Sequence, residues 1–155
     1  MRNTLSSSRK SSSIHVPPHS IEAEVSVLGA LILDKDAIIA VAEFLKNDHF
    51  YDERHKEIYE TIIALYEERA PIDLLTVAEK LKKRKSLKKV GGSEFLEELL
   101  EKVPTAAHVE HYARIVKELA VKRALMGSAT RLVELSFDEG IGAAELLDKA
   151  ESEIF

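Results

Sequence analysis

At 155 residues, with 45% of positions hydrophobic, the chain is long enough to bury a core, as one domain or a domain plus an appendage. It contains no cysteine, which excludes a disulfide framework and a thiolate metal site and fits a reducing compartment. The net charge is −5, and Arg2, Arg9 and Lys10 are the only formally charged side chains among the first 20 residues, so the remainder stands at −8; a body this acidic excludes general nucleic-acid binding and points to protein partners.

Residues 1–18 read as a disordered, Ser-rich tail. The opening "MRNTLSSSRKSSSIH" has no apolar stretch and is not a secretory signal, although its acid-free, Ser- and Arg-rich composition is shared with organelle transit peptides. Pro17 and Pro18 end the tail, and Ser20 caps a predicted helix from Ile21 to about Leu33 with Glu22 and Glu24 in its first turn. The apolar run Val27–Leu33 is far short of the ~20 residues of a membrane span, and Glu22, Glu24 and Asp34 flank it. It continues the helical spacing of Ile21, Val25 and Leu28, so it reads as a buried helix.

Asp36 is the expected cap of a helix from Ala37 to Lys46, with Ile38, Val41, Ala42 and Leu45 inward. Asp52 caps a helix carrying Ile58, Ile62, Leu65 and Tyr66, which ends before Pro71. Asp73 caps Leu74 to about Lys83, with Leu74, Val77, Ala78 and Leu81 apolar. "VGGSEFLEELLEKVP" predicts a Gly-Gly turn, a Ser93 cap and a short helix that Pro104 closes. No run alternates long enough for a strand, so the chain is expected to be all-α, with a helical head over 19–104.

Residues 105–155 have a different texture and predict a protruding antiparallel helical hairpin. Thr105 caps a helix reaching about Phe137, ~33 residues or ~50 Å long. A globule of the preceding residues has a radius of gyration near ~13 Å, so this helix must overhang it. "DEGIG" turns the chain into a returning helix with Leu146, Leu147, Ala150 and Ile154 apolar. The sequence then stops at Ile154-Phe155 without a closing cap, as expected for a cut through a longer protein. At 100° per residue, Leu125, Met126, Ala129, Leu132, Val133, Ser136 and Phe137 share one side of the long helix, with Leu135 beyond them, Lys122 the exception, and Arg123, Arg131, Glu134 and Asp138 opposite. The apolar arc spans about 200°, twice what one contact needs. The returning helix covers about half; a neighbouring chain, or alternatively the head, covers the rest. Leu125, Met126, Leu132, Val133, Leu135 and Phe137 are the candidate interface residues, with packing inside the hairpin as the competing role for each.

No residue is assigned a catalytic, cofactor-binding or metal-binding role. There is no GxxxxGK[ST] segment, and "VGGSE" is a turn and cap instead of a phosphate cradle. His108 and His111, spaced i, i+3, lack a third ligand and the i, i+4 spacing of a helical zinc motif. Glu67–Glu68 and Glu97–Glu101 are expected on solvated faces, where nothing separates their acidities for acid/base work, and Ser6, Ser7 and Ser8 have no nearby base. "KLKKRKSLKK" (80–89) carries seven cations in ten positions. Lys82, Lys83, Arg84 and Lys85 are the candidates for phosphate contact, set against the plainer role of cations solvating a helix C-terminus.

Five segments, "PHSIEAEVSVLGALILD", "FYDERHKEIYETI", "PIDLLTVAEKL", "VGGSEFLEEL" and "VPTAAHVEHYARIVKE", occur in this order. Together they closely resemble the N-terminal domain of bacterial replicative DNA helicases of the DnaB family, over residues 17–155. The resemblance implies a collar of subunit pairs, a trimer of dimers in a hexameric ring, with hairpins pairing between neighbours. It implies primase as a partner, a helicase loader in some systems, and single-stranded DNA passing through the ring, in the cytoplasm at the bacterial replication fork. ATP and Mg would belong to a RecA-like ATPase domain absent from these residues. Two other readings stay open: a helical nucleic-acid-binding module using residues 80–89, and the helicase-binding domain of a primase, which has a similar head and hairpin.

Overall fold

The computed structural model describes residues 16–155; the Ser-rich segment with Ser6, Ser7 and Ser8 lies outside the described residues. Seven α-helices follow in order, with no strand among the described residues: α1 (Ile21–Leu33), α2 (Ala37–Val41), α3 (Glu53–Glu67), α4 (Leu74–Lys83), α5 (Gly92–Glu101), α6 (Val109–Ser136) and α7 (Ala143–Ile154). A 3-10 turn, Asn47–His49, lies between α2 and α3. No helix of the described residues is long and apolar enough to cross a membrane.

The head is organised around α1. Ser20 Oγ accepts the Ala23 N–H at 3.1 Å, satisfying one of the orphan donors of the helix start. Downstream, Val27, Leu28, Ala30 and Leu31 are buried, and α2, α3, α5 and α6 all pack against the helix. Gly29 allows α5 to approach this closely: a Cβ there would lie 2.5 Å from the Leu99 carbonyl oxygen and from a Val103 methyl. The run from Val27 to Ile32 is thus the central post of the core, a role that requires apolar residues on every side, while Leu33 at its end is exposed.

Glu24 is the exception on that post. Only 1% exposed, its carboxylate accepts the Tyr51 N–H at 2.9 Å and the Asp52 N–H at 3.2 Å, at the positive end of α3. It also accepts His55 Nδ1–H at 2.8 Å. His55 is equally buried and stacks on Phe95 of α5, with ring centroids 6.0 Å apart. One carboxylate therefore fixes α1 against α3, and its imidazole partner carries the link to α5. Beside it, Asp52 caps α3 through the Arg54 N–H, and the Arg54 guanidinium holds the Asp52 carboxyl below the usual carboxylate range.

Five local expectations differ from the structure. The second helix stops at Val41 instead of reaching Lys46, and Asp36 makes no side-chain cap; Asp34 Oδ1 accepts the Asp36 N–H instead. Beyond Val41 the chain runs on in turns, with the Leu45 N–H on the Val41 carbonyl at 2.9 Å and the Leu45 carbonyl taken by the buried Tyr59 hydroxyl at 2.7 Å. Tyr66 points outward as α3 ends, with Arg69 left-handed at φ 57 and the Ala70 N–H closing on the Leu65 carbonyl. Ser93 lies inside α5 and does not cap it. The helix starts instead from Gly91 and Gly92, at φ 105 and φ 76, conformations that favour glycine. Thr105 Oγ1 accepts the Ala107 N–H in a local turn, so the long helix begins at Val109 and runs 28 residues.

Glu24→Ala is expected to cost about 3–5 kcal/mol in urea denaturation, because it strands a buried imidazole and two backbone N–H groups. Glu24→Gln, which keeps an acceptor, is expected to cost less. A loss below about 1 kcal/mol for Glu24→Ala would show that the head does not rely on this carboxylate.

Candidate functional site: the outer hairpin and its base

Two halves of α6 have opposite fates. Val109, Ala113, Val116 and Ala120 recur at helical spacing and are buried in the head. Beyond Ala120 no residue of the helix is buried. At about 1.5 Å per residue the exposed part from Val121 to Ser136 extends roughly 24 Å.

The transition between the halves is held by Arg123. Its Nη1 donates to the Pro18 carbonyl and its Nη2 to the His49 carbonyl, both at 2.8 Å. Its guanidinium lies 5.5 Å from the Tyr51 ring centroid, and Tyr51 stacks on His19 with centroids 4.1 Å apart. One side chain thus gathers the segment before α1, the 3-10 turn and the start of α3 onto the long helix. Sequence reasoning placed Arg123 on the polar side of α6 and gave it no partner, because carbonyl acceptors from loops leave no sequence pattern.

His49 adds a titratable group to this base. Partial burial pushes its pKa below 6.5, Asp48 opposes the shift, and the charges of Lys117, Lys46 and Arg123 reinforce it. Its Nδ1 accepts the Lys46 N–H at 3.0 Å, which needs that nitrogen unprotonated.

The outer arms are tied by Arg131, whose Nε and Nη2 donate to the Glu153 carboxylate at 3.1 and 2.7 Å. The side-chain bond to Arg131 holds the Glu153 carboxyl below the usual carboxylate range. At the tip, Asp138 Oδ1 accepts the Gly140 N–H and closes the turn. The six sequence-derived interface candidates divide here. Leu132 and Leu135 are half-buried, Leu135 beside Glu145, Asp148 and Ser152 of α7. Leu125, Met126, Val133 and Phe137 are exposed, at 59%, 46%, 57% and 82%. Val121 of α6 and Leu147 of α7 are exposed apolar side chains that the six did not include.

The cationic run also divides. Arg84 Nε bonds Glu57 at 3.1 Å, its Nη2 lies 3.3 Å from Glu60, and Lys80 pairs with Glu68. Lys82, Lys83 and Lys85 are exposed and make no ion pair among the described residues. His108 sits at the start of α6, and His111 packs edge-on against Tyr112; no three potential metal ligands cluster among the described residues.

Residues 16–118 match the family of DnaB-like helicase N-terminal domains. A replicative DNA helicase DnaB from Mycobacterium leprae is 42% identical over 90% of this chain. The crystal structure of the N-terminal domain of DnaB helicase from Mycobacterium tuberculosis superimposes with a TM-score of 0.86, at 42% identity, covering 90% of this chain and 98% of that one. The N-terminal domain of DnaB helicase from Helicobacter pylori, described with its interactions with primase, gives a TM-score of 0.66 at 27% identity, over 76% of this chain and 91% of that one. The chain spans 23% of the length of the Mycobacterium leprae protein.

The lowered His49 pKa has a definite sign. The unfolded chain binds a proton at His49 more readily than the folded chain, so its contribution to stability is present above pH 6.5 and is lost as pH falls from there through the lower folded value. Thermal unfolding of the chain and of His49→Gln across this window is expected to show a wild-type advantage that shrinks on acidification. A difference that grows as pH falls would reverse the assignment.

Proposed function

The chain belongs to the family of DnaB-like helicase N-terminal domains, and from that premise we propose that it is the collar and assembly region of a replicative DNA helicase. In this reading the hairpins of two copies pair, three such pairs close into a hexameric ring, and the collar docks primase. The observation that carries it is the exposed apolar side of outer α6, which Leu125, Met126 and Val133 form along the helix and Phe137 at its end. Neither the head nor α7 covers these side chains. Burying a side chain of this size is worth about 1.5–3 kcal/mol. Four from each of two copies supply on the order of 10 kcal/mol, comparable to the cost of association.

Leu132 and Leu135 then serve the hairpin's own seam, while the four exposed residues meet the neighbour. The role is mechanical: paired hairpins fix the spacing of the heads, and primase selects among wider and narrower collars by binding one better than another. Primase is the partner described for the Helicobacter pylori domain, which supports the same partner here. A loader protein and single-stranded DNA passing through the ring belong to the whole helicase, which acts in the cytoplasm. ATP and Mg would be held by its RecA-like domain; with no GxxxxGK[ST] segment, the residues of this chain do not fit them.

Light-scattering mass over a concentration series tests the pairing. The chain is expected to form dimers or hexamers, and its mass to rise by whole copies of the primase C-terminal helicase-binding domain when that domain is added. Val133→Asp with Phe137→Asp is expected to reduce the mass to that of a monomer while circular dichroism retains the helices. Unchanged mass in this variant would sink the interface assignment.

A further inference from the structure

The assembly role proposed above does not use the run Lys80–Lys89, and three of its exposed lysines line a groove. Lys82, Lys83, Lys85, Lys88 and Lys89 are exposed and make no ion pair among the described residues, although the body around them is acidic. Lys82, Lys85, Leu87 and Lys88 line a shallow groove of about 350 Å³, with half-buried Leu87 against the core.

The backbone beneath the groove is fixed. Lys85 is left-handed at φ 59, and the Ser86 N–H closes on the Leu81 carbonyl at 2.9 Å. Val90 and Gly92 N–H groups then bond the Ser86 and Leu87 carbonyls, and fully buried Leu81 and Val90 pin both ends. The lysines are therefore held close together on an ordered turn, where like charges repel at a cost to folding.

We propose that this groove docks an acidic peptide segment of a partner protein, its carboxylates on the lysine rim and one bulky apolar side chain on Leu87. Charge complementarity selects the class of partner. The local chemistry separates peptide from nucleic acid: binding to single strands relies on aromatic platforms and free guanidinium groups. No aromatic residue lines this groove, and the one arginine of the run, Arg84, is engaged by Glu57 and Glu60. An apolar floor inside a cationic rim suits a peptide that carries both features.

The test is fluorescence anisotropy of the chain with a labelled Glu-Asp-Glu-Asp-Phe peptide at low salt, beside an oligothymidine strand of about 20 nucleotides. The peptide is expected to bind saturably, and Lys85→Glu with Lys88→Glu to weaken it at least about tenfold. The charge-matched control Lys35→Glu with Lys102→Glu is expected to change affinity by less than about twofold. Replacing the peptide's Phe by Gly is expected to weaken binding several-fold. The proposal is overturned if the control weakens binding as much as the groove variant, if the Phe is dispensable, or if the peptide fails to saturate. Tighter binding of the oligothymidine, lost in the groove variant, would overturn it in favour of nucleic acid.

Discussion

At the centre of the head a carboxylate almost without water contact accepts three hydrogen bonds, two from the backbone leading into α3 and one from a side chain of its first turn. An unpaired charge at this depth would cost several kcal/mol, so Glu24 is tolerable only where Tyr51, Asp52 and His55 converge on it. This requirement fixes the register and direction of α3 against α1. The turn that leads into α3 is then fixed too, and this turn supplies the His49 carbonyl and the Tyr51 ring to Arg123. The seat of Arg123 on these loops thus depends on the same buried acid, beside the direct packing of the long helix on α1.

A division of labour follows along α6. Its inner turns complete the core with small and branched residues, Ala113, Val116 and Ala120, which let the helix lie close to α1. Its outer turns carry larger apolar residues that the chain itself leaves in water. The switch between the two occurs within one turn, at Arg123, so the part that completes the fold and the part available to a neighbour do not compete for the same side chains.

Much of this was legible in the sequence wherever local chemistry decided the outcome. Ser20, Asp52 and Asp73 cap the helices they were expected to cap, and most of the apolar stripes of α1, α3 and α4 is buried, with Ile21, Leu33 and Tyr66 exposed and Leu74 and Ala78 half-buried. Where competing bonds, long-range or local, were available, the outcome differed. The second helix stops at Val41, ahead of the Leu45 carbonyl that Tyr59 takes, and Thr105 turns its hydroxyl to a local N–H instead of the long helix. A signal for the buried pair was present: Glu24 is followed by Leu28 and Leu31, and His55 by Ile58, Tyr59 and Ile62, each a polar residue on a stripe of buried ones. Of the hairpin candidates, angle alone could not separate Leu132 and Leu135 from Val133 and Phe137, because the division depends on where α7 returns.

The grip of Arg123 on Pro18 and His49 has a geometric consequence. It lies 13 residues before Ser136, so it is the fulcrum of an arm about 20 Å long. A tilt of about 10° at that fulcrum carries the tip through roughly 3.5 Å, close to the width of an atomic contact. The loop contacts around one guanidinium therefore act as a gear. Adjustments too small to disturb the core are magnified outward, and two arms held together would convey the motion of one head to the next.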